Sequence, residues 1–383
     1  MVSKRPAIAA AVAASAIALS VVPALTASAE PAAPLAPATT GTRPHPPSWP
    51  VVARGLDNPR GLAFGPDGAL YVAESGRGGA GPCQGGPEGE TCFGRSGAVT
   101  RIRYGHQKRI ATGLPSLAGR DGGEATGPSD VAVSRRGRVS FTVGLGADPD
   151  LRKRVRPLAG MAKLYELSYG PRVVADLGAY EKRANPDRVS PPDTNPYGLA
   201  VTRDARYVTD AGGNTLLRVS ERGRVSTVAV FRQRTVSAPA GTPGVPAGTP
   251  VLMQSVPTSV VRGPDGAWYV GELTGFPFPA GHARIYRVVP GHRPTVYATG
   301  LTNVIDLAFS PRGRLYALEI SHKGLLSGDL TGALVAVKAH GRHKVVASAG
   351  LRAPGGVAIR GRDAYVTTCS VCAGAGSVVR IRL

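Results

Sequence analysis

The chain has 383 residues and a formal net charge of +21. Beyond its N-terminal segment, apolar runs are only strand-length and are bounded by Gly, Pro or charge, which excludes a bundle of membrane-spanning helices. It contains no Gly-x-Ser-x-Gly elbow, His-Glu-x-x-His pair or Gly-x-x-x-x-Gly-Lys phosphate loop, which sets aside three large enzyme classes.

Taken in order, the chain opens with Lys4 and Arg5, then a nearly uncharged run from Pro6 to Val22. Ala27-Ser28-Ala29 follows, a small-x-small cleavage pattern. These features predict a signal peptide over residues 1–29. The apolar run is shorter than the roughly 20 residues of a spanning helix, and Pro23 interrupts it. Residues 30–48 are rich in Pro, Ala and Thr and poor in large apolar side chains, the composition of a flexible tether. The mature chain is therefore expected to be secreted to the cell exterior as a soluble monomer with no transmembrane segment.

Four cysteines in an exported chain are expected to pair. Local bridges Cys83–Cys92 and Cys369–Cys372 are the preferred reading, with cross-pairing of the two loops as the alternative. A zinc site or a redox Cys-x-x-Cys fits less well, because neither the ligand spacing nor a thioredoxin-like context is present.

From residue 49 to 383 one pattern recurs six times. Its first copy runs Asn58-Pro59-Arg60-Gly61-Leu62-Ala63-Phe64, turns at Gly65-Pro66-Asp67-Gly68, and continues Ala69-Leu70-Tyr71-Val72-Ala73-Glu74. Later copies begin near Pro128, Pro196, Pro257, Val304 and Pro354, each continued by a third strand and, in all but the last, a fourth. Period-2 alternation, β-branched and aromatic residues and glycine turns make these antiparallel strands, and helical periodicity is nowhere sustained. Six such units predict an all-β, six-bladed β-propeller over 49–383. The last unit stops at its third strand, while a lone strand sequence, Val51-Val52-Ala53-Arg54-Gly55-Leu56, precedes the first. Their pairing is expected to complete the last blade, close the ring and remove an exposed edge.

In a propeller the 4–1 and 2–3 loops leave one face, and the 1–2 and 3–4 turns the other. The first face receives every long insertion, where binding usually resides. It also carries acids at equivalent ends of second strands: Glu74, Asp210, Glu272 and Glu319. Asp130, Asn195, Asn303 and Asp306 stand at first-strand entrances. Converging on a channel, such oxygens would suit Ca²⁺ or crowd into acid–base work, whereas a strand-closing acid also serves by accepting backbone N–H groups in its turn. The opposite face is expected to be basic, through Arg136, Arg138, Arg222, Arg224, Arg312, Arg314, Arg342 and Lys344. Such a surface attracts polyanions or simply keeps turns soluble. Outside a cell the natural partners are a small molecule or an anionic envelope polymer, with no nucleic acid expected. Only His282 and His322 fall in loops of the acidic face, thin support for histidine-based or quinone-cofactor chemistry.

As a set, Asn58 to Gly68, Thr194-Asn195-Pro196-Tyr197-Gly198-Leu199, Thr209-Asp210-Ala211-Gly212-Gly213-Asn214, Val270 to Phe278 and Asn303 to Phe309 resemble the ScyD/ScyE family of exported propellers. The resemblance covers nearly everything after the tether and implies an NHL-like or gluconolactonase-like propeller, with no catalytic residue set to carry across. Gly144 and Thr368 stand where the acidic ring would need carboxylates. Two functions are therefore weighed: a non-catalytic binding or scaffold protein, and a metal-dependent lactonase or esterase built on Glu74, Asp210, Glu272 and Glu319.

Overall fold

The computed structural model describes residues 49–86, 89–339 and 341–383. The segments read from the sequence as a signal peptide and a tether, residues 1–48, and His340 lie outside them. The described chain forms a six-bladed β-propeller of antiparallel four-stranded sheets. Blade 1 comprises Pro59–Phe64, Leu70–Glu74, Gly89–Arg103 and His106–Gly119, with Cys83–Gly86 added as a short flap. Blade 2 comprises Pro128–Val133, Val139–Val143, Lys163–Leu167 and Pro171–Asp176, and blade 3 Pro196–Val201, Ala205–Asp210, Thr215–Ser220 and Val225–Val230. Blade 4 is built from Pro257–Arg262, Trp268–Glu272, Ala283–Val288 and Thr295–Leu301. Blade 5 is built from Val304–Phe309, Leu315–Glu319, Ala333–Ala336 and Lys344–Ala347.

Blade 6 takes Gly356–Arg360, Asp363–Thr368 and Gly376–Arg382 from the C-terminus and its outer strand, Val51–Leu56, from the N-terminus. Val51 stands opposite Val379, Ala53 opposite Val378 and Leu56 opposite Gly376. The ring closes as the unfinished last unit predicts. The first strands of the blades line the axis and pack side by side, with blade 6 returning to blade 1.

The second strands of blades 1, 2, 4 and 5 are buried at every position, because each is covered on both sides by neighbouring blades. That explains their nearly unbroken apolar sequences, such as Leu70-Tyr71-Val72-Ala73. Between blades 6 and 1 the seam is filled by Leu56, Leu62, Leu70, Val72, Ile102 and Val378. At about 25 cal/mol per Å² of apolar surface, these seams are the main term holding the disc together.

Both local disulfides form, Cys83–Cys92 and Cys369–Cys372. Two insertions have structure that strand-only reading missed. Leu177–Ala184 is an α-helix, capped by the Asp176 side chain accepting from Ala179 N at 2.8 Å and ended by Asn185 in the left-handed region (φ 35°). The Pro/Gly stretch after blade 3 is held between the strands of a separate hairpin, Arg234–Ser237 with Pro250–Met253. No helix among the described residues is long and apolar enough to cross a membrane.

Candidate functional site

The four strand-ending acids are each occupied within the loops of their own part of the disc. Glu74, with no exposed surface, accepts from Asp57 N at 2.8 Å and from Thr100 Oγ1, and is clasped by Arg109 at 2.7 and 3.0 Å. Asp210 accepts from Asn195 N at 2.6 Å, Gly213 N at 3.0 Å and Thr194 Oγ1 at 2.6 Å. Glu272 is held by both arms of Arg234, by Ser255 Oγ and by Tyr286 Oη. Glu319 accepts from Thr302 N at 2.8 Å and meets His322 Nδ1. Burial pushes the Asp210 and Glu319 carboxyls up, against these hydrogen bonds.

Their oxygens are filled by donors, and among the described residues the four do not gather into a common ligand set. Among the described residues, the one group at ligand spacing is Cys83, Glu90 and Cys92, whose thiols are consumed in a disulfide. The donor set at Glu74, Asp210, Glu272 and Glu319 therefore does not fit a shared Ca²⁺ ion, and no chemistry is routed through one. Asn195 and Asn303 are also braces. Asn195 Oδ1 accepts from Leu145 N, while Asn303 donates to Leu273 O and accepts from Leu325 N.

Asp130 and Asp306 behave differently, since they sit on first strands and reach the axis. Asp130 accepts from Val131 N and, across a blade seam, from Leu199 N, both at 2.7 Å. Asp306 does the same with Leu307 N at 2.8 Å and Val357 N at 2.7 Å. Blades 2 and 5 are opposite one another in the ring, so the two carboxyls face across the channel. Burial and the charge of Asp306 push Asp130 well up, and burial pushes Asp306 up to about 7. Gly61 shows how closely the channel is filled, since a Cβ there would fall 1.9 Å from Asp130 Oδ1.

Two neighbours were not singled out from the sequence. Burial raises the Tyr197 phenol; Arg60 stands close enough to oppose that shift, while Asp306 and Asp130 add to it. Tyr197 Oη is buried without a hydrogen bond of normal geometry, and the Arg60 guanidinium is anchored on Ala125 O at 2.8 Å and Ser75 Oγ at 3.3 Å. Both occupy the column one residue before the Asp130 and Asp306 position. Comparing that column across the six repeats, Arg60, Ser129, Tyr197, Thr258, Ile305 and Gly355, was the available signal.

On the turn face lies a cleft of about 540 Å³ where the first strands of blades 2, 3 and 4 end. It is lined by Arg135, Arg136, Arg138, Arg203 and Arg262 with Val133 and Val201. Arg138 is half-buried and committed to Glu221 at 3.0 Å, with Glu166 at 3.8 Å. Arg135, Arg136, Arg203 and Arg262 are exposed and make no ion pair among the described residues. Of the basic residues singled out from the sequence, Arg136 and Arg138 line this cleft. Arg222, Arg224, Arg312, Arg314, Arg342 and Lys344 are exposed elsewhere.

The face is less uniformly basic than its turns suggest. Arg101 pairs with Asp67, Arg287 with Asp265, Arg218 with Asp204 and Arg382 with Asp363. Arg109, at the start of the outer strand of blade 1, points to Glu74 and Asp57.

No family model and no curated protein matches the chain. Among solved structures, a streptogramin B lyase aligns over 86% of this chain and 84% of its own, at 13% identity and a TM-score of 0.46. The PQQ-bound aldose sugar dehydrogenase of Streptomyces coelicolor covers 88% and 99% at 12% identity and 0.47. A gluconolactonase of Xanthomonas campestris covers 87% and 88% at 15% identity and 0.42. At such identities and scores nothing about activity passes from these proteins to this one.

Proposed function

We propose that the chain is exported and acts at the cell exterior as a non-catalytic binding propeller that captures an anionic envelope polymer in the basic cleft. The observation that carries this reading is the group of four exposed arginines without carboxylate partners around a 540 Å³ recess. Guanidinium groups match phosphate and carboxylate oxygens in a fixed two-pronged geometry, and Val133 and Val201 supply an apolar floor. The signal-like N-terminus, the two disulfides and the motif resemblance to the exported ScyD/ScyE propellers support an extracellular setting.

Retention of the mature protein on phosphocellulose tests it. Elution is expected to advance steeply with salt, and the variant R135S/R136S/R203S/R262S to elute much earlier than wild type. Equal retention of the two proteins would refute the cleft as the binding surface.

A second reading rests on the channel pair. Two carboxyls facing each other, one titrating near 7, form an acid–base arrangement suited to ester or lactone opening. Turnover of a lactone with a pH profile that inflects near 7 and disappears in Asp306→Asn would put this reading first.

A further inference from the structure

The connection from blade 2 to blade 3 contains a group of side chains that neither the cleft nor the channel uses. The helix Leu177–Ala184 turns Glu181 inward, leaving it no exposed surface, and neither of its carboxylate oxygens has a hydrogen-bond partner. Elsewhere in this protein buried acids are surrounded by donors, as Glu74 is by Asp57 N, Thr100 and Arg109. A buried carboxylate without donors is strongly destabilised, and more so when it has like-charged neighbours.

Glu181 has three such neighbours. Burial, followed by the charges of Asp210, Asp187 and Asp193, raises its proton affinity, to a pKa of about 9. No Lys or Arg forms an ion pair with Glu181 among the described residues, and the adjacent Lys182 turns outward to Asp150. One turn on, Asn185 Oδ1 is buried without a partner, while its amide nitrogen is taken by Val189 O. The orphan atoms of Glu181 and Asn185 are all acceptors.

The facing backbone has no side chains where the acids crowd it. A Cβ on Gly213 would stand 2.7 Å from Glu181 Oε2, and one on Gly212 would stand 2.9 Å from Asp193 Oδ1. Orphan oxygens without nitrogen or sulfur donors, carried on one short segment, suit a hard cation with many protein ligands better than one that retains most of its water.

We propose that Glu181, Asn185, Asp187 and Asp193 form a Ca²⁺ site on the long-loop face of blade 3. The acidic oxygens are not drawn within 4.8 Å of one another three at a time, as befits like charges repelling one another without a counterion. Asp187 and Asp193 are only half-buried, which leaves an entry path from solvent. Asp187 accepts one hydrogen bond on each oxygen, from Val189 N at 3.0 Å and Asn214 Nδ2 at 2.9 Å, and keeps a lone pair on each, whereas Asp210 accepts three and acts as a strut. The site is on the face opposite the basic cleft, so either proposal can fail without the other.

The test is calorimetric titration of the EDTA-treated mature protein with CaCl₂ and, separately, MgCl₂, together with thermal melts in both salts. One Ca²⁺ per chain is expected, with a higher melting temperature in Ca²⁺ than in EDTA and weaker binding of Mg²⁺. Glu181→Gln is expected to weaken Ca²⁺ binding at least tenfold. Asp187→Asn, at the half-buried rim, provides the same readout should the buried change impair folding. The proposal is overturned if wild type binds no Ca²⁺, or if Ca²⁺ leaves the melt unchanged while Glu181→Gln raises it in EDTA, the result for a simple buried acid.

Discussion

Arg109→Ala isolates the clasp that ties blade 1 to the closing strand. Arg109 spans Glu74 at 2.7 Å and Asp57 at 3.0 Å, and both carboxylates are almost wholly buried. Asp57 directly follows the strand Val51–Leu56, so the guanidinium joins the blade 1 sheet to the ring seam. Its removal strands two buried charges. Glu74 keeps Asp57 N and Thr100 Oγ1, and Asp57 keeps Arg77 at 3.9 Å. Breaking a buried pair from one side costs about 3–5 kcal/mol. Arg109 is itself 38% exposed, which places the cost near the lower end, about 3 kcal/mol. With an unfolding entropy of about 2.1 cal/mol/K per residue over about 335 residues, that corresponds to a fall in Tm of about 4 °C. Scanning calorimetry at neutral pH measures it, and adding Glu74→Gln is expected to recover part of the loss, because one stranded charge is then gone. A fall of less than about 1 °C, or no recovery in the double variant, would refute the clasp as a source of stability.

Deleting Val51–Leu56 exposes the edge of Gly376–Arg382 and removes the buried Leu56, so loss of cooperative melting or aggregation on size-exclusion chromatography is expected; an unchanged melt would refute the closure argument. The channel pair makes stability depend on pH. The Asp306 pKa lies near 7 in the folded chain against 3.8 unfolded, and that of Asp130 is also raised, so their contribution is whole below about pH 4 and is lost as pH rises through 7. The wild-type Tm is therefore expected to decline between pH 5 and 8, with a flatter decline in Asp306→Asn; parallel curves would contradict this assignment.

The architecture was legible because strand alternation, glycine turns and a missing final strand are all local signals. Cysteines nine and three residues apart were equally readable as local pairs. Side-chain direction was not. An acid closing a second strand has the same sequence context whether it enters a channel or bends onto the preceding loop, and Glu74, Asp210, Glu272 and Glu319 bend. Charge on the turn face was countable, but its neutralisation was hidden, since Arg138 finds Glu221 83 residues away. Arg60 and Tyr197 went unremarked because each looks like an ordinary member of its strand until the six copies are compared by column. The helix Leu177–Ala184 is short, and its apolar pattern is weak. Its better markers were the capping Asp176, the basic pair Lys182 and Arg183 in its last turn, and Asn185 just beyond.

The pairing of Val51 with Val379 spans 328 positions of the chain. Bringing such distant segments together costs on the order of 5 kcal/mol in chain entropy, before any constant term. A ribosome or translocation pore releases Val51 long before its partner, so this strand must wait, unpaired and adhesive, until the other five sheets have been delivered. Refolding kinetics should therefore contain a late step insensitive to substitutions within a single sheet but accelerated by a covalent link between the two ends of the disc.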